Sequence, residues 1–125
     1  MQSVEILVNT SGRNFSYTLS CKDSRGQIHT ITDSGYGSKE DSIQSVEIQA
    51  HIQALGRMIK SAKLDIITDS QYVNAAFKEG WINRWQQNGW QNSKGKPVAN
   101  AELWKALLKG LSQHCYKIQY RPSKV

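Results

Sequence analysis

Leu64-Asp65-Ile66-Ile67-Thr68-Asp69-Ser70-Gln71-Tyr72-Val73 decides how this chain of 125 residues folds. A short apolar, β-branched run ends at Thr68, and after Asp69 the apolar spacing becomes helical, with Tyr72, Val73, Ala76 and Phe77 on one face. That pattern is a buried strand feeding directly into a helix, with Ser70 in the N-cap position. The junction sets the Asp69 carboxylate at the carboxyl end of a strand and beside a helix N-terminus. Ligands bind at such strand ends in open α/β sheets, and an acidic group there is a candidate ligand for a hard cation. Spacing alone supports equally a second capping role for Asp69.

Upstream, Val4, Ile6 and Val8 alternate with Glu5, Leu7 and Asn9, which predicts a strand over 3–9. A turn at 10–14 leads to a second strand at 15–21, with Phe15, Tyr17, Leu19 and Cys21 on one face. Asp23-Ser24-Arg25-Gly26 is a hairpin signal, returning as a third strand over 27–32. A polar loop over 33–40 follows. Asp41 and Gln44 then resemble a capping box opening a helix that runs to about Ala62, with Ile48, Ile52, Leu55 and Ile59 as its apolar stripe. Glu47 falls on the flank of that stripe, where a carboxylate is costly unless paired, protonated or bound to metal. His51, one turn later, reads as a core or edge histidine ahead of a third ligand; His29 and His114 carry no motif.

Downstream, the strand over 63–68 adds to the sheet in parallel through a strand–helix–strand step. Gly80 breaks the next helix, Trp81-Ile82-Asn83-Arg84-Trp85 forms another, and Gly89-Trp90 stops it. A basic loop over 91–98 contains Lys94 and Lys96. Asn100 is placed to cap a helix with Leu103, Trp104, Leu107, Leu108 and Leu111 on its face, and Tyr116, Ile118 and Tyr120 alternate in a last strand. Together these elements predict one α/β domain over 1–125, a mixed five-stranded sheet with helices packed on it. Trp81, Trp85 and Trp104 read as core, whereas Trp90, next to the basic loop, equally suits stacking on a sugar or base.

Net charge is +6, which favours an anionic partner, nucleic acid first. The chain is 38% hydrophobic, with a mean hydropathy of -0.57, and no apolar run approaches the roughly 20 residues that span a bilayer. No basic segment or small-residue cleavage site precedes the first strand, so no secretory signal is expected. Cys21 and Cys115 lie far apart without metal-ligand spacing and read as reduced thiols. These features predict a cytoplasmic protein without a membrane partner and leave the oligomeric state open.

The chain resembles bacterial type 1 ribonuclease H, which cuts the RNA strand of RNA–DNA hybrids. The resemblance runs nearly end to end: Val4-Glu5-Ile6, Val46-Glu47 with Ala50 and Ala54-Leu55, the specific Thr68-Asp69-Ser70-Gln71-Tyr72-Val73, then Trp81-Ile82 with Trp85, Gly89-Trp90, Lys96-Pro97-Val98, Asn100 and Leu103-Trp104. It implies the ribonuclease H-like fold: three antiparallel strands, two parallel additions, and a C-terminal helix missing from this chain. It also implies hydrolysis by two Mg²⁺ or Mn²⁺ ions held by four acids. Carried over by position, the helix acid is Glu47 and the strand-end acid is Asp69, the expected catalytic and metal residues. The first-strand acid position falls on Asn9, and the last acid lies beyond 121–125.

Two carboxylates set a formal −2 against +4 for two divalent ions, where four would balance it. At about 4 Å each missing charge is worth roughly 1 kcal/mol in water and about 4 kcal/mol at an effective dielectric near 20. Asp65, Asp33 and Asp41 are the candidate substitutes. The resemblance further implies that Arg84, Trp85, Trp90, Lys94 and Lys96, with Lys78 nearby, grip the hybrid, and that Asn14 and Gln71 contact it. Three functions follow as expectations. The first is a hybrid-binding protein with hydrolysis lost or strongly impaired and its metal sites weak or unoccupied. The others are an active Mg²⁺- or Mn²⁺-dependent ribonuclease H and a protein-interaction module that reuses the fold.

Overall fold

Residues 62–78 fold as the strand and helix that their pattern predicts. In the computed structural model, which describes residues 2–122, the elements in chain order are β1 (Gln2–Ser11), β2 (Asn14–Lys22), β3 (Ile28–Tyr36), α1 (Ile43–Leu55), β4 (Ala62–Thr68), α2 (Gln71–Lys78), α3 (Trp81–Gln87), α4 (Ala101–Leu111) and β5 (Cys115–Tyr120). Residue 1 and the last part of the 121–125 stretch lie outside the described residues. The sheet order is β3-β2-β1-β4-β5. β1, β2 and β3 pair antiparallel, while β4 joins β1 and β5 joins β4 in parallel.

One core explains that layering. Ile6 and Val8 of β1, Phe15 and Leu19 of β2, and Leu64 and Ile66 of β4 are buried with Val46, Ile48 and Ala54 of α1, Val73 and Ala76 of α2, and Trp104, Leu107 and Leu111 of α4. The alternate positions Glu5, Thr18, Asp65 and Lys117 are polar, as period-two strands with one buried face require. Among the described residues no helix is long and apolar enough to cross a membrane.

Three boundaries differ from expectation. α1 stops at Leu55 instead of continuing to Ala62, leaving Ile59 90% exposed and outside the stripe. At 1.5 Å per residue, seven further helical residues would carry the chain about 10 Å onward, yet Ala62 has to return to pair with Gln2. The helix opens on Ser42, whose hydroxyl accepts from Ser45 N–H at 3.0 Å, so the Asp41/Gln44 capping box is not used. β3 runs on to Tyr36 through residues that read as loop, because Asp33, Ser34 and Gly35 pair with Tyr17, Ser16 and Phe15. Asn100 also differs: it precedes α4 in a left-handed conformation, φ 62°, and its side chain makes no capping hydrogen bond. Ser70 caps α2 as predicted, accepting from Val73 N–H at 3.1 Å.

Candidate functional site

The parallel β1–β4 ladder pairs Val8 with Thr68, and Asp69 N–H donates to Val8 O at 3.3 Å. The ladder therefore brings Asn9 alongside Asp69 at the carboxyl ends of two neighbouring strands. Thr10 then closes over the acid: its N–H donates to both Asp69 carboxylate oxygens, at 3.0 and 2.9 Å, and its hydroxyl donates to Oδ1 at 2.9 Å. Glu47 reaches the same junction from α1, where the Ser70 hydroxyl donates to Glu47 Oε1. Asn9, Glu47 and Asp69 are all half-buried.

Beneath them lies a fully satisfied polar network. His51 is buried; its Nδ1 lies 2.7 Å from Glu47 O, and its Nε2 lies 2.9 Å from Thr68 Oγ1. A carbonyl only accepts, so Nδ1 carries the proton and Nε2 accepts from the Thr68 hydroxyl. Thr68 Oγ1 in turn accepts from Ser70 N–H at 3.0 Å. Burial holds the His51 pKa down at about 4, against partial upward pulls from the Glu47 carbonyl and the Asp69 charge. The imidazole is thus a neutral strut that ties the middle of α1 to the β4–α2 junction.

Glu47 and Asp69 are the carboxylates gathered at this junction, with the Asn9 amide beside them, and all three offer oxygen donors of the kind hard cations take. Among the described residues, no cluster of three or more His, Cys, Asp or Glu is placed to hold a metal ion. The candidate substitutes are engaged elsewhere. Asp65 accepts from Gln119 at 3.2 Å, Asp33 pairs with Arg57 at 3.0 Å, and Asp41 accepts from Ser38 N–H at 3.0 Å.

A second region lies along α3 and the following loop. Trp85 sits at the centre of an aromatic cluster of tilted rings, its ring centroid 6.1 Å from Trp81, 6.2 Å from Trp90 and 5.8 Å from Trp104. Trp90 is half-buried in a left-handed conformation, φ 63°, with Lys105 Nζ 5.6 Å above its ring. Asn92 shapes the loop, its Oδ1 accepting from the N–H groups of Lys94 at 2.9 Å and Lys96 at 3.1 Å. The side chains of Arg84, Lys94 and Lys96 are thereby displayed in solvent from one firmly framed loop–helix unit.

The RNase H family profile matches residues 9–123. The chain belongs to the RNase H family. Ribonuclease H of Lachnoclostridium phytofermentans is 40% identical over 96 residues, covering 77% of this chain and 60% of its own length. Ribonuclease H of Thermus thermophilus is 37% identical over 75 residues, covering 60% of this chain and 45% of its own length. The chain thus spans about half the length of the curated relatives it matches. Among solved structures it resembles LC9-RNase H1, a type 1 RNase H with the type 2 active-site motif, at a TM-score of 0.77 and 16% identity, over 100% of this chain and 65% of that one. It also resembles foamy viral protease-reverse transcriptase in complex with RNA/DNA hybrid, at a TM-score of 0.68 and 20% identity, over 98% of this chain and 18% of that one.

Of the residues singled out in this RNase H chain, the fold gathers Asn9, Glu47 and Asp69 at one pole. Asn14, paired with Ser11 and Tyr36, stands at the same ends of the strands, and so does Gln71, which donates to Tyr120 at 3.2 Å. Arg84, Trp85, Trp90, Lys94 and Lys96 form the separate α3-loop region. Thr10, Lys105 and the contacts of the Thr68 and Ser70 side chains with His51 and Glu47 escape a reading of the sequence. Thr10 carries no signal beyond following Asn9, and its contact with Asp69 exists only through strand pairing across 59 residues.

Proposed function

We propose that this RNase H chain binds nucleic acid, RNA–DNA hybrid foremost, and that its metal-dependent hydrolysis of the RNA strand is lost or strongly impaired. The observation that carries the reading is Asn9. A neutral amide stands beside Asp69 where the family places a carboxylate, while Thr10 donors already occupy both Asp69 oxygens. An amide oxygen neither offsets cation charge nor bridges two ions as a carboxylate does. Binding has separate support. A net charge of +6, the exposed Arg84, Lys94 and Lys96, and the half-buried Trp90 face suit phosphate contact and stacking. The foamy viral protease-reverse transcriptase, which shares this fold over 18% of its length, is itself in complex with RNA/DNA hybrid.

Hydrolysis of an RNA–DNA hybrid in Mg²⁺ and in Mn²⁺ tests the proposal, alongside binding at two salt concentrations. The wild-type chain is expected to bind with a steep salt dependence and to leave the RNA strand intact, while Asn9→Asp raises cleavage. Retention of Glu47 and Asp69 favours the second reading, a weakly active Mg²⁺- or Mn²⁺-dependent ribonuclease. Wild-type cleavage that disappears in Glu47→Gln or Asp69→Asn would establish that reading and end the first.

A further inference from the structure

Among the described residues, β3 has a neighbour on one side only, β2. Asp23 N–H donates to Gln27 O at 2.9 Å and Gly37 N–H to Arg13 O at 2.8 Å, bracketing a ladder that pairs Cys21 with His29, Leu19 with Ile31 and Tyr17 with Asp33. The odd-numbered residues of β3 therefore turn their backbone groups toward β2. Ile28, Thr30, Thr32 and Ser34 turn theirs to the open edge. Ser34 agrees with this: its N–H takes no strand partner and is met by Asp33 Oδ1 at 2.8 Å.

Sheet edges are normally blunted by charged side chains, lysine above all, by proline, by a bulge or by shortness. The nine residues of β3 contain no lysine and no proline, their one carboxylate, Asp33, is neutralised by Arg57 at 3.0 Å, and their pairing with β2 is continuous from Ile28 to Tyr36. Ile31 is 42% exposed on this edge, and it lines a shallow groove with Met58 and Ile59.

The strand is also complementary to itself. In an antiparallel pair of two β3 edges centred on Ile31, Thr30 of one copy opposes Thr32 of the other. Both turn N–H and C=O outward, so these are the hydrogen-bonded positions. Ile31 opposes Ile31 and His29 opposes Asp33 at the intervening positions, where cross-strand side chains approach most closely. His29 already lies 2.8 Å from Asp23, and Asp33 lies 3.0 Å from Arg57. Across the seam the groups would thus alternate as Asp23, His29, Asp33 and Arg57. Such exposed pairs set register more than affinity.

We propose that the free edge of β3 pairs with the same edge of a second copy of this chain, antiparallel and centred on Ile31, joining two five-stranded sheets into one. The occupant is a second copy because His29 and Asp33 sit symmetrically about the one exposed isoleucine of the strand's middle. A seam of a single strand pair is short, which puts the association in the weak, concentration-dependent class.

Sedimentation equilibrium from dilute to millimolar protein tests the pairing. The weight-average mass is expected to rise from 14.1 kDa toward twice that value. Thr32→Pro removes an outward N–H and leaves the β2 ladder whole, so it should weaken dimerisation by more than about tenfold, a loss of ~1.4 kcal/mol. Ile31→Lys, which sets two ammonium groups face to face, should keep the mass at 14.1 kDa throughout. Its unfolding midpoint should stay at the wild-type value, so the test survives if the proline variant fails to fold. A wild-type chain that stays monomeric at millimolar concentration, as it would if the edge served another protein's strand, overturns the proposal. So does a dimer that withstands both substitutions.

Discussion

Thr10 grips Asp69 with three hydrogen bonds, two from its backbone N–H and one from its hydroxyl, all within 3.0 Å. They join the end of β1 to the β4–α2 junction, so Asp69 is a structural tie as well as a site acid. Hydrogen bonds to an ionised partner contribute about 1.5–3 kcal/mol. Asp69→Ala leaves the Thr10 N–H without its acceptor, and the half-exposed position moderates the loss. The expected destabilisation is about 2 kcal/mol by urea denaturation, with Thr10→Val costing about 1 kcal/mol because the N–H bonds persist. A change below a few tenths of a kcal/mol in Asp69→Ala would remove the structural role.

His51 makes stability depend on pH in a defined direction. Its pKa is about 4 in the folded chain, against 6.5 for an ordinary histidine. Between these values the unfolded chain takes up the proton and the folded chain does not, so the folded state loses stability as pH falls through that window. The effect is absent above about pH 7, and no more is lost from this residue below about pH 4. Its full size is about 3 kcal/mol. Urea midpoints measured across the window should fall accordingly in the wild type and much less in His51→Gln, which cannot charge. Equal slopes in both proteins would show that the imidazole is not held neutral.

How far these features could be read from sequence varies with the range of the interaction. The β4–α2 junction was legible because apolar periodicity and the Ser70 cap are local. Asp69 and Glu47 stand out from their local pattern and Asn9 only by resemblance; strand pairing sets Asn9 beside Asp69, and α1 brings Glu47 to the same pole. The end of α1 was not legible, since the return of Ala62 to Gln2 is a constraint between distant residues. Nor was the second half of β3: Asp33-Ser34-Gly35 has turn composition, and an exposed edge strand lacks the buried alternation that marks a strand. The Thr10–Asp69 and His51–Thr68–Ser70 contacts depend on side chains meeting across elements, and composition carries no trace of them.

Gly35 shows why that edge residue is small. A Cβ built there would lie 2.7 Å from Cζ of the Phe15 ring, which is buried in the core under the β2–β3 pair. The ring has little room to yield, so Gly35→Ala forces overpacking worth about 1–3 kcal/mol. Its φ is not left-handed, so backbone strain adds nothing. Urea denaturation should show the loss in Gly35→Ala and its recovery in the pair Gly35→Ala/Phe15→Leu, whose smaller side chain vacates the space. Failure of the double variant to recover would assign the glycine to chain flexibility.

The α3-loop region predicts how binding to hybrid should respond to salt. Lys94 and Lys96 share the Asn92 frame, and Arg84 is exposed on the neighbouring helix, its Nη1 donating to Glu79 O at 3.2 Å. If each meets a phosphate, removing one weakens binding nearly uniformly across sequences and lowers the slope of log K against log salt by about 1. Trp90 should behave differently, because stacking carries no counterion release: Trp90→Ala should lose affinity worth about 1–3 kcal/mol while the slope stays unchanged. Trp104 is the control, fully buried among Tyr72, Phe77 and Trp85, so Trp104→Ala should cost about 3–5 kcal/mol of folding stability. Binding isotherms on an RNA–DNA hybrid at several salt concentrations distinguish the three behaviours. A Lys94→Ala/Lys96→Ala variant with the wild-type slope would place the phosphate contacts elsewhere on this basic chain.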